Sequence, residues 1–314
     1  MHLSLFDLHA DTACKMYERG EALFDNTLAV SLKRSQRYAR YIQVMALWTP
    51  PEYDDEQGYS RLLKMVENLK NDTALSEGKA TLHSVCPPKE STTPSLMLSL
   101  EDARILNGHI ERVAEIAAMG VRSVIPLWSG ESCIGGAHDT NTGLTDFGKR
   151  AAKEILTCDM LLDISHASEA SSNDILNLSA ACGKPVIASH SNAFPICPVS
   201  RNLRDWQTRA ILSSGGIIGI NLYRYFLEEN GEATLDSILQ HIEHFLSLGA
   251  ENALSLGCDM DGADMPDAIP DLACLDRLAD HLSAHGYSQK QIDALFFENA
   301  YRFAQKHLSS FCLS

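Results

Sequence analysis

Short apolar segments alternate with amphipathic segments along the whole chain. The apolar segments predict strands near 3–8, 41–47, 96–101, 122–127, 160–165, 185–190, 217–223 and 254–259. The amphipathic segments predict helices near 59–75, 109–119, 145–157, 168–182, 205–214, 234–248, 271–285 and 288–307. Thr145 and Ser168 are the residue types expected as helix N-caps. Near-continuous apolar strands alternating with helices indicate a parallel sheet, and eight such units predict a (β/α)8 TIM-like barrel in one domain over residues 1–314.

Polar residues cluster where several predicted strands end. The ends of the first, third, fifth, sixth and eighth strands read Asp7–Asp11 (DLHAD), Glu101, Asp163–His166 (DISH), Ser189–Ser191 (SHS) and Asp259–Asp261 (DMD). In a barrel these carboxyl ends form the rim on which active sites are built. A buried imidazole or carboxylate is costly unless it is paired or binds a metal. The coincidence therefore favours a shared site.

The strand-end residues include a plausible set of metal ligands. Side chains two residues apart on a strand share a face, so His9 and Asp11 could hold one ion together. With Glu101, His166 and His190 they provide nitrogen and oxygen ligands that suit Zn²⁺, with Mn²⁺ or Co²⁺ as alternatives. Five ligands suggest two ions that share a bridging carboxylate. The competing interpretation is local, since Asp11 and Glu101 each precede a segment that they could cap.

Composition and charge exclude several classes of protein. The 314 residues carry a formal charge of −15 without a basic stripe, which argues against a nucleic-acid binder. No apolar run approaches the roughly 18 residues of a membrane span, so no membrane anchor is expected. The nine cysteines are scattered and the N-terminus lacks a signal-peptide pattern. Reduced, mostly buried thiols in a cytoplasmic protein are therefore expected.

Other motifs carry less information. The chain contains neither of the glycine-rich nucleotide motifs nor a G-x-S-x-G nucleophile motif. His241 and His244 are predicted to lie on a solvated helix face, and His138 is assigned no role.

Several of these segments resemble the membrane (renal) dipeptidases and their bacterial relatives, a family of metal-dependent barrel hydrolases. The matching stretches are DLHAD (7–11), GLTDFGKRAAKEI (143–155), MLLDISHAS (160–168), PVIASHSNAF (185–194), RNL (201–203), GIIGINLY (216–223), LGCDMDG (256–262) and ENAYRF (298–303). The resemblance implies a barrel with two Zn²⁺ per chain, a homodimer, and hydrolysis of the amide bond of a dipeptide. It also implies that the substrate can carry a D-amino acid at its C-terminal position.

The resemblance also implies a role for individual residues. His9 and Asp11 would hold one zinc, His166 and His190 the other, and Glu101 would bridge the two. The catalytic Asp259 would transfer the proton, Arg201 would bind the substrate carboxylate, and Tyr223 would contact the substrate. The alternatives are a surface position at a helix entry for Arg201 and packing within the barrel for Tyr223.

One position departs from the animal members. They carry a substrate-contacting histidine after the fourth strand, where this chain has Trp128. The metal ligands are unaffected, but the substrate range is left open. A barrel hydrolase acting on another small amide, ester or lactone is therefore the alternative, and it would not need Arg201. A catalytically silent relative is disfavoured, because such a protein could lose its ligands and this chain has all five.

Overall fold

The computed structural model describes residues 3–308, in which parallel strands are surrounded by helices. The strands are β1 (Leu5–Ala10), β2 (Tyr41–Trp48), β3 (Thr81–Leu82), β4 (Ser95–Glu101), β5 (Val121–Ile125), β6 (Leu161–Asp163), β7 (Val186–Ile187), β8 (Ile218–Ile220) and β9 (Leu254–Leu256). The helices are α1 (Thr12–Arg19), α2 (Leu32–Ser35), α3 (Asp55–Leu75), α4 (Arg112–Met119), α5 (Asp146–Thr157), α6 (Glu169–Ala181), α7 (Asp205–Ser214), α8 (Arg224–Leu227), α9 (Leu235–Ser247), α10 (Asp276–Ala284), α11 (Gln289–Asp293) and α12 (Asn299–His307). Short 3₁₀ turns cover Ala103–Leu106 and Leu272–Cys274, and a π-helical turn, Ala294–Glu298, joins α11 to α12.

Eight of the strands form the predicted barrel. The pairing path runs β7-β6-β5-β4-β2-β1-β9-β8, and each pairing along it is parallel. A parallel bridge between Ala188 and Ile218 joins the two ends of this path. The short β3 pairs only with β4, outside the path. The fold is therefore a (β/α)8 TIM-like barrel, as the alternating pattern predicted.

An extra residue in β1 interrupts its pairing with β2. Asp7 pairs with Gln43 and Ala10 with Met45, so three steps along β1 match two along β2. Such bulges are common beside active sites. Leu8 joins Phe6 in an apolar cluster that packs against α12, while the adjacent His9 faces other polar side chains.

The strands β6, β7 and β8 are shorter than the sequence pattern predicted. The carboxylate of Asp163, at the end of β6, accepts hydrogen bonds from the main-chain N–H groups of Ser165 (2.9 Å) and Ser189 (3.2 Å). The Asp163 carboxylate therefore takes the place of the main-chain hydrogen-bond acceptors that a longer strand would provide, at the point where the chain turns toward the rim. Apolar composition alone does not show where this replacement begins.

Most predicted helices agree with the structure, and the two predicted caps are present. Thr145 accepts from the N–H of Gly148, and Ser168 accepts from the N–H of Ser171. The segment predicted as helix 271–285 is divided into a 3₁₀ turn and α10, and 288–307 is divided by the π-helical turn.

Two expectations about the chain's environment can be compared with the structure. Within residues 3–308 no helix combines the length and apolar character needed to cross a membrane. The eight cysteines in this range are free thiols, and Cys312 lies outside it. Only Cys14, Cys197 and Cys258 are fully buried, so the thiols are less buried than predicted.

Candidate metal centre and substrate cavity

The structure brings His9, Asp11, Glu101, His166 and His190 together at one end of the barrel. His9 lies in β1 and Asp11 directly follows it, Glu101 ends β4, and His166 and His190 follow β6 and β7. None of the five side chains is more than 11 % exposed. The carboxylate of Glu101 lies at the centre of the group. Its Oε2 atom is 3.4 Å from His9 Nε2, and its Oε1 atom is 2.9 Å from His166 Nε2 and 3.7 Å from His190 Nε2. The two oxygens of one carboxylate therefore face two different groups of histidines.

The donor set has the chemistry of a metal site. His166 Nδ1 is 2.9 Å from the carbonyl oxygen of Trp128, which can only accept, so the ring proton lies on Nδ1. Nε2 then offers a lone pair, yet it faces a Glu101 oxygen and also lies 3.0 Å from His190 Nε2. Lone pairs that converge in a buried place require a cation or an additional proton. A divalent metal fits this requirement, and the carbonyl of Trp128 would orient one of its ligands.

His9 provides a second sign of an incomplete site. Neither of its ring nitrogens has a hydrogen-bond partner of good geometry, although the side chain is fully buried. Burial lowers the pKa of His9, but the carboxylates of Glu101 and Asp11 outweigh burial and raise it well above its usual range. By contrast, burial dominates at His166 and His190 and lowers the pKa of each. Unlike the other two histidines, His9 therefore lies in a strongly negative environment, which suits a bound cation.

His9 belongs to two groups of possible metal ligands. In one group it meets Glu101 and His190, and in the other it meets Asp11 and Asp259, with the ligand atoms of each group within 4.8 Å of one another. His9 Nε2 is 3.4 Å from Asp11 Oδ2. The face shared by His9 and Asp11, expected from their spacing, is therefore present.

Asp259 lies at the edge of this cluster. Its Oδ1 atom is 3.7 Å from His9 Nε2, and its Oδ2 atom accepts a hydrogen bond of 2.9 Å from Asn221 Nδ2. Burial raises the pKa of Asp259 to about 7, and the charges of Asp11 and Glu101 contribute to the rise. Its backbone has φ +63°, an uncommon conformation for a residue with a side chain that is often found at functional sites.

Gly262 lets the chain pass closely beside the cluster. A Cβ atom at this position would lie 2.0 Å from Asp11 Oδ2 and 2.8 Å from Asp259 Oδ1. Any other residue would displace one of these carboxylates. The glycine of the DMDG segment is therefore explained by close approach.

Arg201 is buried beside the cluster, not at the surface. It is only 3 % exposed, and it donates hydrogen bonds to Ser191 Oγ (3.0 Å) and to the carbonyl oxygen of His190 (3.1 Å). Its Nε atom has no partner, and no carboxylate of residues 3–308 lies within 4.0 Å of its guanidinium nitrogens. A buried cation without an anionic partner is costly, so this place suits an anionic ligand.

A cavity of about 870 Å³ opens in front of the cluster. Glu101, His166 and Asp259 lie in its wall, together with Trp128 and Tyr223. The ring of Trp128 is 4.9 Å from that of Trp48, and Tyr223 packs edge-on against Phe226 at 4.6 Å. Tyr223 therefore lines the mouth of the barrel and is not packed within it.

Three residues outside the predicted ligand set support this cluster. Asp163, noted in the sequence only as part of a polar strand end, fixes the segments that carry His166 and His190. Asn221 holds Asp259, and His138 donates its main-chain N–H to the carbonyl oxygen of His166 at 2.8 Å. The contacts of Asn221 and His138 are tertiary, so the sequence offers no direct signal for them.

The prediction of a solvated face for His241 is wrong. His241 is fully buried, with Nδ1 accepting from the N–H of Ala193 (3.0 Å) and Nε2 donating to the carbonyl oxygen of Leu227 (3.2 Å). It lies among Ile238, Ile242 and Phe245, the buried residues of α9. The helical spacing of these apolar residues was the signal that could have placed it inside. His244 is partly exposed and contacts Asp205.

Comparisons with known proteins agree with the barrel fold and identify a family of metallopeptidases. The model of the family described as "Membrane dipeptidase (Peptidase family M19)" matches residues 1–309. A solved dipeptidase AC, a metallopeptidase of family M19, is 26% identical over 99% of this chain and 100% of its own, with a TM-score of 0.91. A metallopeptidase from Rhodobacter sphaeroides, solved with a phosphinate mimic of the dipeptide L-Ala-D-Ala, is 25% identical over 98% of this chain and 100% of its own, with a TM-score of 0.90. A Klebsiella pneumoniae protein described as "Uncharacterized protein in pqqA 5'region" is 34% identical over 67% of this chain and 81% of its own length.

The fold and the buried cluster are those of a metal-dependent barrel hydrolase. The chain belongs to the membrane dipeptidase family, peptidase family M19. The expected resemblance is thereby confirmed, and the chain is a hydrolase of a metallo-dipeptidase family.

Proposed function

We propose that this protein is a binuclear zinc dipeptidase. The observation that carries the proposal is the position of Glu101, whose two oxygens face His9 on one side and the pair His166 and His190 on the other. One carboxylate between two groups of nitrogen donors is the arrangement that a pair of ions requires. His9 and Asp11 would hold one zinc, His166 and His190 the other, and Glu101 both.

The residues around this centre would carry out proton transfer and substrate binding. Zinc ions, when bound, acidify a water molecule and polarise a carbonyl group, which activates both partners of an amide hydrolysis. Asp259 would take a proton from the attacking water, a role supported by its Oδ1 atom facing the cluster while Asn221 fixes Oδ2. It would then return the proton to the leaving amine, which is the ordinary role of a general acid and base.

Arg201 would select short substrates. Its unpaired buried cation lies one hydrogen bond away from the main chain of His190, so a carboxylate bound there is held near the scissile amide. An arginine can bind a carboxylate through two parallel hydrogen bonds. Only a peptide whose C-terminal carboxylate lies close to the cleaved bond can reach Arg201 and the metal centre at the same time. A dipeptide is the simplest such substrate.

The substrate range would include dipeptides with a C-terminal D-residue. The Rhodobacter sphaeroides relative binds a mimic of L-Ala-D-Ala, which supports this choice of substrates. The aromatic rings of Trp128 and Tyr223 line the cavity and would contact the substrate. We further propose a homodimer and a cytoplasmic location, the latter consistent with the free thiols.

A substrate screen tests the proposal. The zinc-loaded protein is mixed with L-L, L-D and N-blocked dipeptides and with longer peptides, and release of the C-terminal amino acid is measured. We expect cleavage of free dipeptides and little cleavage of longer peptides. Cleavage of long peptides, esters or lactones in preference to dipeptides would instead support another barrel hydrolase.

A further inference from the structure

The candidate site consists of two cavities. The larger contains Glu101 and Asp259, whereas Arg201 lines a smaller cavity of about 310 Å³ between α6 and α7. A substrate that reaches both Glu101 and Arg201 must cross from one cavity to the other. His138 lines both cavities and therefore lies at this crossing.

His138 is held in place by its neighbours. Its main-chain N–H donates to the carbonyl oxygen of His166 at 2.8 Å, and its ring centroid lies 6.1 Å from that of His166. On its other side, Nδ1 lies 3.0 Å from the hydroxyl oxygen of Ser200, the residue before Arg201. Among residues 3–308, no hydrogen-bond partner is found for Nε2.

Among residues 3–308, Arg201 is the one arginine in the wall of the smaller cavity that has no carboxylate partner. The other arginine in its wall, Arg204, pairs with Glu169 at 3.1 Å, and Glu169 also accepts from Trp206 at 2.9 Å. Glu169, the acidic residue in the wall of this cavity, is therefore already paired with other side chains. An incoming carboxylate would find one unpaired guanidinium and, at the entrance, one imidazole nitrogen without a partner.

We propose that His138 binds the C-terminal carboxylate of the substrate together with Arg201. In this proposal the hydroxyl of Ser200 donates to Nδ1, and the ring proton on Nε2 is donated to one carboxylate oxygen. The C-terminal residue then occupies the smaller cavity, while the scissile amide remains beside Glu101 in the larger one. This inference rests on the proposed dipeptidase function and adds a second carboxylate-binding residue to it.

Three variants test the role of His138. In His138→Leu the donor is lost, and we expect KM for a free dipeptide to rise about tenfold or more, the usual effect of losing a hydrogen bond to a charged group, with kcat changed little. In His138→Gln a side-chain N–H can replace Nε2–H, so most of the affinity should return. In Ser200→Ala the tautomer is no longer fixed, and KM should take an intermediate value.

A matched ligand pair separates carboxylate binding from structural support. Calorimetry with a phosphinate mimic of a dipeptide should show weaker binding by His138→Leu, whereas the C-terminal amide of the same mimic should bind to the variant and the wild type equally. His285→Leu, which makes the same change at an exposed histidine outside both cavities, is the control and should behave as wild type. Thermal unfolding verifies that each variant is folded.

Two results would overturn the inference while leaving the dipeptidase intact. One is an unchanged KM in His138→Leu, and the other is an equal loss of affinity for the acid and the amide, which would reduce His138 to a support for His166. If the wild-type protein cleaves no dipeptide, the proposed function fails, and this inference fails with it.

Discussion

Replacing Asp259 by asparagine removes the proposed proton carrier with little change of shape. The Asn side chain can keep an oxygen toward Asn221, which now donates to Asp259 Oδ2 at 2.9 Å. It cannot accept and return a proton. General acid–base catalysis contributes about 10²–10⁴-fold, so kcat should fall by that factor, or about 3–5 kcal/mol of activation free energy. KM should change little, because the substrate anchor at Arg201 is untouched.

The assay combines activity with metal content. Release of the C-terminal amino acid from a dipeptide gives kcat and KM, and elemental analysis of the same samples gives zinc per chain. Asp264→Asn is the matched control, since it makes the same chemical change at an exposed position of the same cavity and should retain wild-type rates. A rate for Asp259→Asn within about threefold of wild type, with zinc present, would remove Asp259 from the mechanism.

The same variant makes a prediction for the metal-free protein. Burial raises the pKa of Asp259 to about 7, so between about pH 4 and about pH 7 the folded protein keeps a proton that the unfolded chain has lost. The contribution of Asp259 to the free energy of unfolding therefore decreases as the pH rises through this range. Urea unfolding of the metal-free proteins at about pH 5 and about pH 8 should show wild type losing stability relative to Asp259→Asn. An equal difference at both pH values would contradict the assignment.

Three further predictions follow from the geometry of the site. Arg201→Met should lower kcat/KM for a free dipeptide about 10- to 100-fold and leave the C-terminal amide of that dipeptide unaffected; equal losses on both would refute the carboxylate anchor. Gly262→Ala would place a Cβ atom 2.0 Å from Asp11 Oδ2, so zinc affinity measured by competition with a chelator should fall, and an unchanged affinity would show that Asp11 is not a ligand. Removing metal should lower the melting temperature and zinc should restore it, because an ion that binds only the folded state stabilises it; identical melting curves would argue against a buried centre.

The barrel was predictable because its longest strands carry a strong local signal. Strands β2 and β4 are buried along nearly their whole length and pair continuously from Ile42 with Ser95 to Trp48 with Glu101. Runs of apolar residues of this kind are typical of buried parallel strands. The short strands β6 and β7 were predicted too long because the side chain of Asp163 satisfies main-chain groups that a longer ladder would otherwise pair.

The centre of the site was also predictable, but its surroundings were not. His9 and Asp11 share a face by strand spacing, and the remaining candidates ended strands whose carboxyl ends meet at one rim. Nothing local distinguishes Asn221 or His138 from any other loop residue, since their partners lie 38 and 62 positions away in the sequence. The sequence likewise does not show that Arg201 lacks a carboxylate partner, because this depends on which residues the fold brings near it.

The most direct test of the central claim is anomalous diffraction at the zinc edge from a crystal of the zinc-loaded protein. The account predicts two anomalous peaks per chain, one next to His9 and Asp11 and the other next to His166 and His190, with Glu101 in contact with both. A single peak, or two peaks away from Glu101, would contradict the proposed binuclear centre.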